Sequence, residues 1–203
     1  MMYTPAYFSI DREKVGIDEK ELKRRLSVSG DFDVSVYEKA IKSVLAESTP
    51  KACFIKVPVT TDGDEISFPF VSFQSRDLSK NLSGCKEAFV FAVTLGHGVE
   101  RLLSKMSRLS SADFFIYDAV GSALAESVCD IAEDMIKGDI PCKPRFSPGY
   151  GDVPLSVQRD VLSALNAEKL LGITLTETNL MIPQKSITAI LAVSEEFGMR
   201  NAE

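Results

Sequence analysis

A chain of 203 residues, 45% hydrophobic and 26% charged, has the balance of a globular protein and is long enough for one large domain or two small ones. A net charge of −6 and a pI near 5.0 argue against the basic stripe that nucleic acid requires, so no DNA or RNA partner is expected. No apolar run reaches the roughly 20 residues that span a bilayer, and the N-terminus lacks the basic, apolar, small-residue order of a signal peptide, so the expectation is a cytoplasmic protein without a membrane partner.

After a short tail, Asp11 to Gly30 is charged and helix-favouring, with Val15, Ile17, Leu22, Leu26 and Val28 as a patchy apolar stripe, which predicts a peripheral helix or two. Asp33 is placed to cap a helix through Glu47, in which Val36, Ala40, Ile41, Val44 and Leu45 recur at threes and fours, and Pro50 marks its end. Residues 1–48 are thus read as a peripheral helical segment of a single domain spanning 1–203. Ala52 to Val59 is rich in apolar and β-branched residues and reads as a strand, with Pro58 pointing to an edge or a strand end. Asp62-Gly63 signals a hairpin with a returning strand over 66–73, and Ser75 to Leu82 is a short amphipathic helix stopped by Gly84. The run Ala88-Phe89-Val90-Phe91-Ala92-Val93 predicts a central strand covered on both faces.

That strand ends at Gly96-His97-Gly98, and Val99, Leu102, Leu103 and Met106 mark the next helix. His97 stands alone. No carboxylate, Ser or Cys is spaced to form a triad with it, so it reads as a loop or first-turn residue without chemistry. Asp113 to Lys137 is the longest helix candidate, with Ile116, Val120, Leu124, Val128, Ile131 and Met135 on one face. Asp118, Ser122, Glu126, Asp130 and Asp134 recur every four residues on another face, either as a solvated surface or as an acidic edge able to hold an ammonium group. Farther on, Leu155 to Leu165 and Asn166 to Leu171 read as helices, the second closed by Gly172. Ile173 to Thr176 and Ser186 to Val193 read as strands, joined by a loop whose Leu180, Met181 and Ile182 belong to the core or line a pocket. Strands scattered among helices without a βαβ rhythm predict one α+β domain.

Cys53, Cys85, Cys129 and Cys142 are widely spaced, with no Cys-x-x-Cys and one His in the chain, which argues against zinc. Cys53 and Cys129 sit in apolar patterns and read as small buried hydrophobes.

The densest set of polar handles is Arg145-Phe146-Ser147-Pro148-Gly149-Tyr150-Gly151-Asp152, lying between two helices. Arg145 offers a planar fork of donors for a carboxylate or phosphate. Gly149 and Gly151 allow backbone angles closed to other residues, and Tyr150 between them is a flat face with a hydroxyl. The plainer reading is a turn at Pro148-Gly149, with Arg145 paired to a nearby acid.

The Arg-x-x-x-Gly-Tyr pattern, followed by a helix, Leu175-Thr176-Glu177-Thr178 and Met181-Ile182-Pro183, resembles the S-adenosylmethionine-binding activation domain of cobalamin-dependent methionine synthase. The resemblance is closest to the short stand-alone forms. It extends back through Val71-Ser72-Phe73, Ser75-Arg76-Asp77-Leu78, Ala92 to Gly96 and Asp118 to Ser122, from about residue 50 to residue 193. It implies an activation-domain-like α+β fold with a mainly antiparallel sheet.

The resemblance further implies that Arg145 takes the ligand carboxylate, that the backbone at Ser147 and Gly149 bonds the nucleotide or amino-acid part, and that Glu126 or Asp130 meets the ammonium. Tyr150 matches the aromatic that faces the corrin and the transferring methyl group. In the family, oxidised cobalamin is reduced by one electron and remethylated from S-adenosylmethionine. Cofactors carry both difficult steps, so no catalytic side chain is implied. The chain is then an accessory subunit, incomplete as an enzyme alone, whose partners are a cobalamin-binding methyltransferase protein and a flavodoxin-like electron donor. The alternative is a small-molecule-binding or structural module of a corrinoid protein complex, without methyl transfer.

Two departures stand out. The large enzymes have Gly-Tyr-Pro where this chain has Gly149-Tyr150-Gly151-Asp152, and they continue past the strand matching Ser186 to Val193 with an aromatic near the ligand. Cobalamin-carrying domains use Asp-x-His-x-x-Gly. Leu95 and Glu100 stand in place of the Asp and the Gly around His97, so cobalamin is expected on a partner.

Overall fold

The computed structural model describes residues 3–194. The chain opens with strand β1 (Ala6–Ser9), followed by helices α1 (Glu19–Arg25) and α2 (Glu38–Glu47). Strand β2 (Lys51–Pro58) leads into β3 (Thr60–Asp62), β4 (Glu65–Phe68), β5 (Val71–Gln74) and helix α3 (Arg76–Leu82). Strand β6 (Glu87–Thr94) precedes α4 (His97–Leu109) and the 27-residue α5 (Ser111–Lys137). Beyond a long connection lie α6 (Val157–Ala164), α7 (Ala167–Leu171), β7 (Thr174–Leu175), β8 (Met181–Ile182) and β9 (Ser186–Ala192).

The central sheet has four antiparallel strands in the order β1-β2-β6-β9. Because side chains alternate along a strand, β6 serves two cores. Phe89, Phe91 and Val93 enter the core beneath α1, α2, α4 and α5, while Ala88, Val90 and Ala92 enter the core beneath α3, α6 and α7. Strand β9 does the same, with Ala189 and Leu191 on the first side and Ile190 and Ala192 on the second. The expected α+β domain with a strand covered on both faces is therefore present, and its continuous apolar run is the cause.

Several boundaries differ from expectation. The supposed tail contains β1, which pairs Tyr7 with Cys53 and sets Phe8 edge-on to Phe54. The N-terminal helices are less peripheral than their charge implies, since Leu22 and Val44 are fully buried in the helix-side core. Asp33 accepts a bond from the Ser35 amide and caps a 3-10 turn, Val34–Tyr37, before α2 begins. Pro58 is the strand end of β2, as one of its two readings had it, but β2 is not an edge strand and lies between β1 and β6. The hairpin turns at Gly63, but residues 66–73 break at Pro69 and Phe70 into β4 and β5, which with β3 form a separate three-stranded sheet.

On α5 the buried face is Tyr117, Val120, Leu124, Val128, Ala132 and Ile136, while Met135 is exposed. Past Val128 the buried face continues through Ala132 and Ile136, one residue beyond the expected Ile131 and Met135, which lie at its margin and outside it. Where α2 meets α4, a Cβ on Gly98 would lie 2.0 Å from the Glu47 carbonyl oxygen, so glycine sets the spacing of these helices.

Candidate functional site

After Gly138 closes α5, the chain returns along the outer edge of β9. The Phe146 amide donates to the Ile190 carbonyl at 2.9 Å, and the Ile190 amide donates back at 2.7 Å. Alternation then places Arg145 toward α5 and Phe146 in the opposite core. The loop beyond is tied to itself: the Tyr150 amide donates to the Ser147 carbonyl, Gly149 to Val153, and Val153 to Tyr150. Gly149 and Gly151 have φ of +84° and +58°, the left-handed region that favours glycine. Asp152 anchors the far end. Its carboxylate accepts from the Ser75 hydroxyl and from the amides of Arg76 at 2.8 Å and Asp77 at 3.2 Å, at the start of α3. The Ser75 hydrogen bond, helped by the two amides and partly opposed by burial, holds this carboxyl below its ordinary value.

Arg145, Glu126 and Asp130 come together. One guanidinium nitrogen of Arg145 donates to Asp130 at 2.6 Å and to Glu133 at 3.0 Å, and the other donates to Glu126 at 3.1 Å. Burial opposes the charge on Arg145, but the hydrogen-bonded carboxylates of Asp130 and Glu133 outweigh it and leave the guanidinium more firmly protonated than usual. Glu126 is shared. Its other oxygen accepts from Arg25 of α1 at 3.3 Å, and Arg25 also donates to Glu21 at 2.5 Å. Beside these groups a hollow of about 300 Å³ opens between α1 and α5, lined by Asp18, Glu21, Arg24, Glu126, Asp130 and Arg145 among others. The structure also brings in Glu133, Arg25 and Glu21. Glu133 was legible: it lies three residues past Asp130, whereas the four-residue count lands on exposed Asp134, which pairs with Lys137. Arg25 had no sequence signal, because its meeting with Glu126 spans 101 residues.

On the other side of the β9 edge, Pro148, Leu155, Leu180, Met181 and Ile182 line an apolar cavity of about 560 Å³ with Glu100, Gln158 and Gln184 also on its wall. Met181 and Ile182, expected in a loop, form β8 against β7. Tyr150 is 66% exposed, its ring edge-on to Phe146 at 5.2 Å. Ser147 is half-buried and Gly149 exposed. The Gly149 N–H and Ser147 carbonyl are engaged within the loop, so the groups left for a ligand are the Ser147 N–H and the Gly149 carbonyl.

Other singled-out residues have local partners. His97 opens α4, and its Nε2 lies 3.0 Å from the Gly172 carbonyl, so that nitrogen carries the proton. Asp118 and Ser122 receive the buried Lys185 ammonium at 2.6 and 2.8 Å. Cys53 and Cys129 are buried, which pushes each thiol up to about 12 and leaves neither as a nucleophile. Among the described residues no group of three or more His, Cys, Asp or Glu is arranged to hold a metal ion, and no helix is long and apolar enough to cross a membrane.

This antiparallel sheet covered on both faces by helices gives the chain a fold similar to that of a solved methionine synthase reactivation domain. The crystal structure of the MetH reactivation domain bound to AdoHcy is similar to this chain with a TM-score of 0.72, covering 95% of this chain and 79% of that one at 17% identity. By sequence, neither a protein-family model nor a curated protein matches. At this identity the likeness shows the fold.

Proposed function

We propose that this chain binds S-adenosylmethionine and serves as the activation subunit of a separate cobalamin-carrying methyltransferase, a divided methionine synthase. The observation that carries the reading is the meeting of Arg145, from the Arg-x-x-x-Gly-Tyr loop, with Glu126 and Asp130. They meet on a fold similar to a reactivation domain solved with AdoHcy. The amino-acid end of the ligand is a zwitterion. Its carboxylate suits the Arg145 fork, and its ammonium suits Glu126 or Asp130, so both ligand charges exchange into an existing ion cluster without leaving any charge unpaired. The Ser147 N–H and Gly149 carbonyl face the nucleotide part.

Cobalamin, held by the partner protein and reduced through a flavodoxin-like donor, would supply the methyl acceptor. The residues here fit such a visitor. Tyr150 presents a flat exposed face, and the cavity beside Pro148 has an apolar wall against which a ring system excludes water. The chain's own task is to bind and orient the methyl donor, which requires no general base. Alone, it is not a complete enzyme.

One observation favours a second reading. Arg145 already has three carboxylate partners, so it can serve as a brace between the sheet edge and α5 in a module of a corrinoid complex that transfers no methyl group. Calorimetric titration of S-adenosylmethionine separates the two. Binding by the wild type that weakens by about 2 kcal/mol or more in Arg145→Ala, the scale for removing one partner of a hydrogen-bonded charge pair, supports the first. No binding, alone or with a cobalamin protein present, favours the brace.

A further inference from the structure

Glu126 is the carboxylate of the cluster that two arginines from different elements share. Arg145 donates to one oxygen and Arg25 to the other, so an incoming ammonium finds both directions occupied by guanidinium groups. The two contacts differ in kind. Arg145 comes from the strand edge beside β9, where main-chain bonds on both sides of it fix its position. Arg25 is the last residue of the seven-residue α1, and its Glu126 contact is the longer of the two at 3.3 Å. It also has a second carboxylate on its own helix, Glu21, at 2.5 Å. Glu21 is kept ionised, its carboxyl lowered chiefly by the Arg24 hydrogen bond, with burial opposing and Arg25 adding to the effect. Arg25 can therefore leave Glu126 and remain paired.

We infer that Arg25 is a further residue of the binding site, an internal occupant of Glu126 that the ligand's ammonium displaces, with Glu21 receiving the displaced guanidinium. This rests on the S-adenosylmethionine reading above. The consequence is a specificity filter. Arg25 also raises the local potential, and S-adenosylmethionine carries a sulfonium in addition to its amino-acid zwitterion, whereas S-adenosylhomocysteine does not. Arg25 therefore disfavours the methyl donor more than the demethylated product. Lys20, an exposed cation on α1, meets the hollow through its main-chain amide, which donates to Asp18 and is kept by alanine, so truncating its side chain reports the effect of net charge alone.

The test is calorimetric titration of both ligands into the full chain and its Arg25→Ala, Arg25→Gln and Lys20→Ala variants, with thermal denaturation to show that each is folded. Removing Arg25 should tighten S-adenosylmethionine by roughly three- to fivefold, the measure of one partly exposed ion pair. The product should gain less, and Lys20→Ala should leave both nearly unchanged. Unchanged or weaker binding in both Arg25 variants, or equal tightening in Lys20→Ala, overturns the inference while the site reading stands. Failure of every protein to bind either ligand overturns both.

Discussion

Asp152 joins the loop that presents Tyr150 to the start of α3, 75 and 77 residues earlier in the chain, through the amide of Asp77 and the Ser75 hydroxyl. A Cβ on Gly151 would lie 2.8 Å from an Asp77 carboxylate oxygen, a side-chain end that can turn aside, so the stronger demand for glycine here is its φ of +58°. Proline, with φ locked near about −65°, cannot take the +58° of Gly151, so a Gly-Tyr-Pro loop could not follow this path, which the Asp152 carboxylate then anchors. Because the folded-state carboxyl of Asp152 is lowered, its ionised form contributes stability that is present above the ordinary carboxylate range and is lost as pH falls through the lowered value. The stability difference between wild type and Asp152→Asn should hold steady above about pH 5 and shrink as pH falls below about 4. Urea midpoints at a series of pH values check this. A difference that stays flat down to the acid limit would show that another contact holds the loop.

At the scale of elements, α4 lies so close to α2 that Gly98 has no room for a methyl group, its Cβ position being 2.0 Å from a main-chain oxygen of Glu47. A backbone oxygen cannot rotate away as a side chain can, so Gly98→Ala must push the helices apart. It should cost about 1–3 kcal/mol, as overpacking does, and lower the thermal midpoint while leaving the Arg145 cluster intact. Gly98 was visible in the sequence as a glycine beside a histidine, yet nothing nearby named the helix it would touch. The same divide runs through the rest of the chain. The two-faced burial of β6, the Gly172 cap of α7, and the meeting of Arg145 with the acids of α5 follow from local pattern or from resemblance. Strand β1 was hidden because four residues carry too little pattern to distinguish a strand from a tail, and Arg25 because charge pairing across folded elements leaves no trace in spacing.

For the whole molecule, the decisive feature is that two cores share one sheet, with β6 at its centre. Phe91 of β6 is fully buried on the helix side, beside Phe54 of β2 and Ala189 of β9 in register, while its neighbours Val90 and Ala92 complete the opposite core. Neither layer can lose β6 without exposing the other, and the site straddles the same sheet, with Arg145 over one face and Phe146 over the other. Unfolding should therefore be cooperative across both layers. Phe91→Ala removes an aromatic ring from the centre and should cost about 3–5 kcal/mol. Because the strand is shared, the loss should appear as one earlier transition. Far-ultraviolet dichroism, which follows the helices, and near-ultraviolet dichroism, which also follows aromatic residues in the other layer, should shift together. Separate transitions in the variant would mean that each layer keeps its structure without the other, and that the loop and the acidic helix are held in place by local contacts alone.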